Sequence, residues 1–173
     1  SLIISQKSVQ LDPQDAGAHY NLGATLQELR RLEEAEASYR QSITLKPDFA
    51  EVHHNLGVIL QEQGRLKEAE ANYRKSITLK PNLAQAHLNL GNVMIKQGRL
   101  KEAEASYRQS IKLNPNLAKA HNNLGIIMKK QGRLKEAEAS YRQAIKLKPN
   151  LAQAHNNLGI IMKELGRLEE ALS

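Results

Sequence analysis

The 173-residue chain contains no cysteine and no tryptophan, and aromatic residues make up only 3% of it. Without cysteine there is no disulfide framework, no thiolate metal site and no cysteine nucleophile. No apolar run approaches the roughly 18 residues needed to span a bilayer, and no charged-then-apolar leader opens the sequence. One-sided polarity is missing too: at 40% hydrophobic residues the chain is too apolar for a disordered polyelectrolyte. Lys plus Arg is 25 against 18 Asp plus Glu, a net charge of +7. That balance raises an acidic or nucleic-acid partner but says nothing of fold.

What is present is a strict period. The prolines fall at Pro13, Pro47, Pro81, Pro115 and Pro149, each 34 residues after the last. Gly23, Gly57, Gly91, Gly125 and Gly159 keep the same spacing, as do His19, His53, His87, His121 and His155, and Tyr39, Tyr73, Tyr107 and Tyr141. Four full repeats result, at 16–49, 50–83, 84–117 and 118–151. Residues 1–15 form the second half of an earlier repeat and 152–173 a further partial one.

Each repeat reads as two helices. In the third, Ala86, Leu90, Val93 and Met94 recur at helical spacing between Ala84 and Gln97. Gly98 ends that helix, because glycine takes the left-handed conformation without steric cost. The second helix runs from about Lys101 to Leu113 and is stopped by Pro115. Glu36–Arg40, Glu70–Arg74, Glu104–Arg108 and Glu138–Arg142 are i,i+4 pairs in the favourable orientation and mark a solvated face. Gly91 and Ala103 sit where helices approach closely, and Tyr107 fills the gap that small neighbours leave. A single pair cannot bury its own apolar stripe, so neighbouring pairs must stack. The expected fold is all-α: a right-handed superhelical solenoid of antiparallel helix pairs whose first helices line a concave surface.

Leu90, Gly91, Ala103, Tyr107 and Pro115, with their equivalents in every full repeat, resemble the tetratricopeptide repeat (TPR) family. Three features depart from its pattern. The fourth repeat position is His instead of an aromatic, the small residue late in the second helix is usually Ser, and Arg30 replaces the first helix-ending glycine. Keeping the left-handed conformation at Arg30 costs on the order of 1 kcal/mol. The strings 53–57, 63–69 and 79–82 are similar to the superhelical repeats of O-linked N-acetylglucosamine transferase and its bacterial relatives. That resemblance implies a ladder of asparagines that holds the backbone of extended polypeptides, here Asn21, Asn55, Asn89, Asn123 and Asn157. It also implies, in a longer parent protein, presentation of substrates to an attached transferase domain.

The ladder makes physical sense. An asparagine offers both donor and acceptor, which suits one peptide group. Packed helices lie about 8–10 Å apart and an extended chain advances about 3.3–3.6 Å per residue, so one clasp falls at roughly every third residue. The alternative is that these residues only bond a neighbouring helix. Repeats three and four differ at seven positions, and 85, 88, 92 and 95 among them belong to the family's inner face. A constant frame with a varied inner face is what a binding surface looks like. His54, Asn92 and Asn122 join the candidate residues on this ground. Glu28, Glu51 and Glu62 line the first half of the expected groove, and Lys96, Lys119, Lys129, Lys130 and Lys163 the second, with Glu164 the exception. An acidic stretch of ligand is therefore expected against the later repeats.

Other chemistries find little support. Histidines one repeat apart cannot share a metal ion whose ligands lie near 2 Å, and their expected role is packing. Single-strand nucleic-acid binding needs exposed aromatic platforms, whereas four of the five tyrosines fall on the packing stripe and only Tyr20 is expected in the groove. No nucleophile with a base, no phosphate loop and no cofactor motif is present, so the chain reads as non-catalytic and free of cofactors. Both ends cut through a repeat, which reads as a piece of a longer, cytoplasmic protein. Leu2, Ile3, Ile4, Val9 and Leu11 at one end and Ile160, Ile161 and Met162 at the other give the competing expectation, end-to-end self-association as a structural assembly module.

Overall fold

The computed structural model describes residues 1–166. Its helices are α1 (Leu2–Leu11), α2 (Ala16–Glu28), α3 (Leu32–Leu45), α4 (Ala50–Glu62), α5 (Leu66–Leu79), α6 (Ala84–Lys96), α7 (Leu100–Leu113), α8 (Ala118–Lys130), α9 (Leu134–Leu147) and α10 (Ala152–Glu164), with no strand among the described residues. Even-numbered helices are the first helices of repeats and odd-numbered ones the second. The expected boundaries in repeat three, Ala84 to Gln97 and about Lys101 to Leu113, match α6 and α7 within one residue at their ends. The chain forms two compact units, residues 1–89 and 90–173. In the first, α2 packs on α3, α4 on α5, and α1 and α4 join the pairs. In the second, α8 packs on α9, with α7 and α10 on either side of that pair.

One lock recurs within each pair. A Cβ built on Gly23 or Gly57 would lie 2.6 or 2.7 Å from the ring of Tyr39 or Tyr73, and Gly91 and Gly125 stand in the same relation to Tyr107 and Tyr141. Carbon atoms ordinarily pack at about 3.5–4.0 Å, so only glycine lets the ring lie flat on the helix. The four tyrosines are accordingly buried. The late small residue has a role that sequence alone does not reveal. The Ser42 and Ser76 hydroxyls donate to the carbonyls of Ala16 and Ala50 at 2.7 and 2.8 Å, tying the second helix to the start of the first.

The repeated histidine has a precise partner. Nε2 of His19, His53, His87, His121 and His155 donates to the carbonyl of the proline six residues earlier, at 2.7 to 3.1 Å. Imidazole thus occupies the family's aromatic position and latches the turn that leads into its own helix. Gly64, Gly98, Gly132 and Gly166 close first helices with φ of 74 to 77°, and Arg30 keeps the same left-handed geometry at φ 60°. Its side chain reaches Glu62 at 3.0 Å.

All four expected Glu–Arg pairs form, at 2.8 to 3.1 Å. Their carboxylates are less solvated than expected, Glu36 being only 15% exposed. The cause is the next repeat: Arg65 spans Glu36 and Glu68, and Arg133 spans Glu104 and Glu136. Burial pushes the Glu36 carboxyl up, but hydrogen bonds from Arg40, Arg65 and Gln63 outweigh it and hold it below the ordinary range.

Candidate functional site

The asparagines of the ladder sit at the sixth position of α2, α4, α6, α8 and α10. Asn21 is exposed, and Asn55, Asn89, Asn123 and Asn157 are half-buried. Four of the five are links in directional hydrogen-bond chains. In the first unit Gln85 Nε2 donates to Asn89 Oδ1 at 3.3 Å, and Asn89 Nδ2 donates to His54 Nε2 at 3.1 Å. His54 Nδ1 then faces Asn55 Oδ1 at 3.2 Å, and Asn55 Nδ2 donates to the Tyr39 hydroxyl at 3.3 Å. The Tyr39 hydroxyl ends the chain on Gln27 Oε1 at 2.8 Å.

The second unit repeats the pattern with an amide in place of the imidazole. Asn157 Nδ2 donates to Asn122 Oδ1 at 3.1 Å, and Asn122 Nδ2 to Asn123 Oδ1 at 3.2 Å. Asn123 Nδ2 donates to Asn92 Oδ1 at 2.8 Å, which also accepts from the Tyr107 hydroxyl at 2.8 Å. In both units the ladder asparagines donate to a residue of an earlier helix.

The polarity dictates the state of His54. Nε2 must be an acceptor and Nδ1 the N–H, so the ring is neutral. Burial against the Tyr73 ring, with centroids 5.8 Å apart, pushes its pKa below the ordinary imidazole value and opposes the upward pull of Asn55 and Glu51. The tyrosine hydroxyls that anchor the chains are held neutral in the same way: burial pushes Tyr39 up to about 12 and raises Tyr107 further.

Beside this chain the first unit holds a pocket of about 90 Å³ lined by Tyr20, Glu51, His54, Asn55, Leu83, Gln85 and Ala86. Tyr20 lines this pocket, with its ring 5.2 Å from that of Phe49. Glu51 at the pocket accepts from Lys80 at 2.8 Å, and Glu28 is exposed at the end of α2. Of the lysines expected in the later repeats, Lys96, Lys119, Lys130 and Lys163 are exposed, while Lys129 pairs with Glu164 at 3.1 Å.

One candidate residue, Asn122, differs from a simple surface display. Asn122 is 1% exposed and both ends of its amide are engaged by Asn123 and Asn157, so it orients the ladder instead of facing out. Leu88, at the same repeat position, is buried. The tyrosine hydroxyls and Gln27 are hydrogen-bond partners of these chains that sequence reasoning missed. The partners Asn89 and His54, and Asn157 and Asn122, lie one 34-residue period plus one apart. Among the described residues no three His, Asp or Glu side chains converge on a metal position, and no helix is long and apolar enough to cross a membrane.

Models of TPR repeats match residues 28–64, 59–98, 91–132 and 127–166, and a tetratricopeptide repeat model matches 5–37. The chain belongs to the tetratricopeptide repeat family. Repeats of this family are protein-interaction scaffolds, so the partner class is protein or peptide. No curated protein matches the chain. Solved structures agree on the fold. YrrB, described as a TPR protein with an unusual peptide-binding site, is 23% identical with a TM-score of 0.82, over 99% of this chain and 89% of that one. The PilF structure from Pseudomonas aeruginosa is 23% identical with a TM-score of 0.90, over 98% and 78%. PilW, a type IV pilus biogenesis factor, is 27% identical with a TM-score of 0.85, over 97% and 78%.

Proposed function

We propose that this TPR array is a non-catalytic scaffold that holds an extended polypeptide along its first helices, gripping the backbone through Asn55, Asn89, Asn123 and Asn157. The observation that carries the reading is the orientation of the ladder. An asparagine amide has two N–H donors and an oxygen with two lone pairs. The internal chain uses one donor and one lone pair of Asn55. One of each remains, which is the complement of one peptide group. Fixed amides lose little freedom on binding, so each clasp contributes more of its hydrogen-bond energy.

Peptide is also the ligand named for YrrB, which shares the fold. Exposed Lys96, Lys119, Lys130 and Lys163 favour an acidic stretch against the later repeats, and the Lys129–Glu164 pair lowers that contribution. The test is a peptide array read with the wild-type chain at low and physiological salt. Acidic blocks should bind better than neutral ones at low salt only, and equal binding would remove the electrostatic part of the reading.

A second reading rests on a separate observation. Ile3 and Ile4 of α1 are each 66% exposed and Leu11 is 87% exposed. That face suits assembly with a second copy through α1; at α10 the expectation fails for Ile161 and Met162, which are buried, and of the three residues named there Ile160 alone is exposed. A concentration series in analytical ultracentrifugation decides it: a mass that rises with concentration supports assembly, and a constant monomer mass removes it.

A further inference from the structure

We propose that His54 is a proton-operated switch in the ladder of the first unit, and that its protonation turns over the Asn89 amide and exchanges the donor and acceptor that Asn89 offers to a bound backbone. The proposal deepens the peptide-clasp reading and rests on it for its functional consequence.

The geometry is one-sided. His54 Nδ1 points at an oxygen, Asn55 Oδ1, in either charge state, so that link is indifferent to protonation. Nε2 points at an N–H donor, Asn89 Nδ2, at 3.1 Å. A proton on Nε2 sets two donors against each other, and the contact survives only if the Asn89 amide rotates by half a turn to present Oδ1. Asn89 Oδ1 now accepts from Gln85 Nε2. Gln85 is exposed and ends that branch, so it follows with its own amide, and the Tyr73 hydroxyl is the other group that the Asn89 amide reaches.

The surroundings make the neutral state the resting one. On its own helix His54 faces Asn55 and, one turn earlier, the carboxylate of Glu51, which Lys80 engages at 2.8 Å. From α5 it meets the Tyr73 ring, from α2 Tyr20 lines the same pocket, and from the α6 side come Leu83, Gln85, Ala86 and Asn89. Among the described residues Glu51 is the carboxylate in that shell and Lys80 the cation opposite it. Burial therefore dominates and keeps the ring neutral near pH 7. Its neighbour His53 is set differently, with Nε2 on the Pro47 carbonyl and Nδ1 on Asn72 Oδ1.

The second unit supplies its own control. Asn122 occupies the same repeat position and makes the same two links, accepting from the ladder residue 35 positions later and donating to the next residue in sequence. An amide cannot titrate, so that link keeps its polarity at any pH. His54→Asn should thus rebuild the first link without the switch.

Two readouts test this between about pH 8 and about pH 5. The first is nitrogen and amide NMR of the free protein. Neutral His54 should carry its proton on Nδ1, and the Asn89 side-chain amide should shift with the midpoint of His54 titration, a shift absent from His54→Asn. A neutral ring protonated at Nε2, or an Asn89 amide indifferent to His54 titration, overturns the switch. The second is binding of a fluorescein-labelled Thr-Ser-Asp repeat peptide of about twelve residues, enough to pass several clasps. The wild type should lose about 3- to 10-fold in affinity as His54 protonates, the worth of about one hydrogen bond. His54→Asn should hold its affinity over the same range, and a parallel loss in both proteins overturns the functional consequence. If neither protein binds the peptide at any pH, the clasp reading fails, while the NMR result still decides the switch.

Discussion

Placing alanine at Gly125 and at Gly159 should move stability in opposite directions, although both residues occupy the same repeat position. At Gly125 the new Cβ would lie 2.6 Å from Cε1 and 2.8 Å from Cδ1 of Tyr141. Ordinary carbon contacts lie at about 3.5–4.0 Å, so the ring would have to retreat by about 1 Å. Tyr141 is 1% exposed and has nowhere to go. Overpacking of that kind costs about 1–3 kcal/mol. At Gly159 nothing among the described residues lies within 4 Å of the new atom. Both substitutions share the same gain in helix propensity, about 1 kcal/mol, which cancels in the comparison. The Gly125→Ala protein should therefore be about 1–3 kcal/mol less stable than the Gly159→Ala protein, or about 3–10 °C lower in Tm for a chain of this size. Thermal and urea unfolding followed by circular dichroism measures the difference. Equal shifts for the two variants would refute the glycine–tyrosine lock as the reason for the period.

Other outcomes follow from the same geometry. Arg30→Gly should raise stability by about 1 kcal/mol in urea unfolding, because φ 60° is strained for arginine and free for glycine. Buried Tyr39, with its pKa pushed to about 12, stays protonated in the folded chain while an unfolded tyrosine ionises near 10. The folded state then binds more protons, so stability is full below about pH 10 and declines as pH rises toward about 12, which an alkaline unfolding series should show. Glu36 works in the opposite sense. Its carboxyl is held below the usual value, so its contribution is present above that value and lost as pH falls through the folded one. Glu36→Gln should flatten this part of the acid limb and reduce the salt sensitivity of stability, both measurable by urea midpoint against pH and salt.

The fold was legible because each of its determinants is local or strictly periodic. Gly91 beside Tyr107 and Pro115 at the turn announce the helix pair, and the left-handed Arg30 follows from its register with Gly64 and Gly98. The ladder positions were legible for the same reason. Their hydrogen bonding was not, because it depends on side chains one repeat plus one residue apart, such as Asn89 and His54, and on which way each amide faces. The solvated character given to Glu36 failed on a similar point: its cover is Arg65, 29 residues on, which comes close only after the repeats stack. The histidine series was expected to pack between helices, but of the five only His53 is buried, and their common partner, a proline carbonyl six residues earlier, is a matter of turn geometry that composition does not display.

The clasp itself is best tested with backbone chemistry. A peptide selected from an array should be compared with its N-methylated form, methylated at roughly every third amide to match the ladder spacing, and with versions whose side chains are permuted. The Asn55→Ala, Asn89→Ala, Asn123→Ala protein should be measured beside the wild type, with circular dichroism confirming that both are folded. Grip on the backbone requires that permutation be tolerated, that N-methylation abolish binding, and that the triple variant bind neither form. Undiminished binding of the methylated peptide, or equal affinity of the triple variant and the wild type, would contradict it.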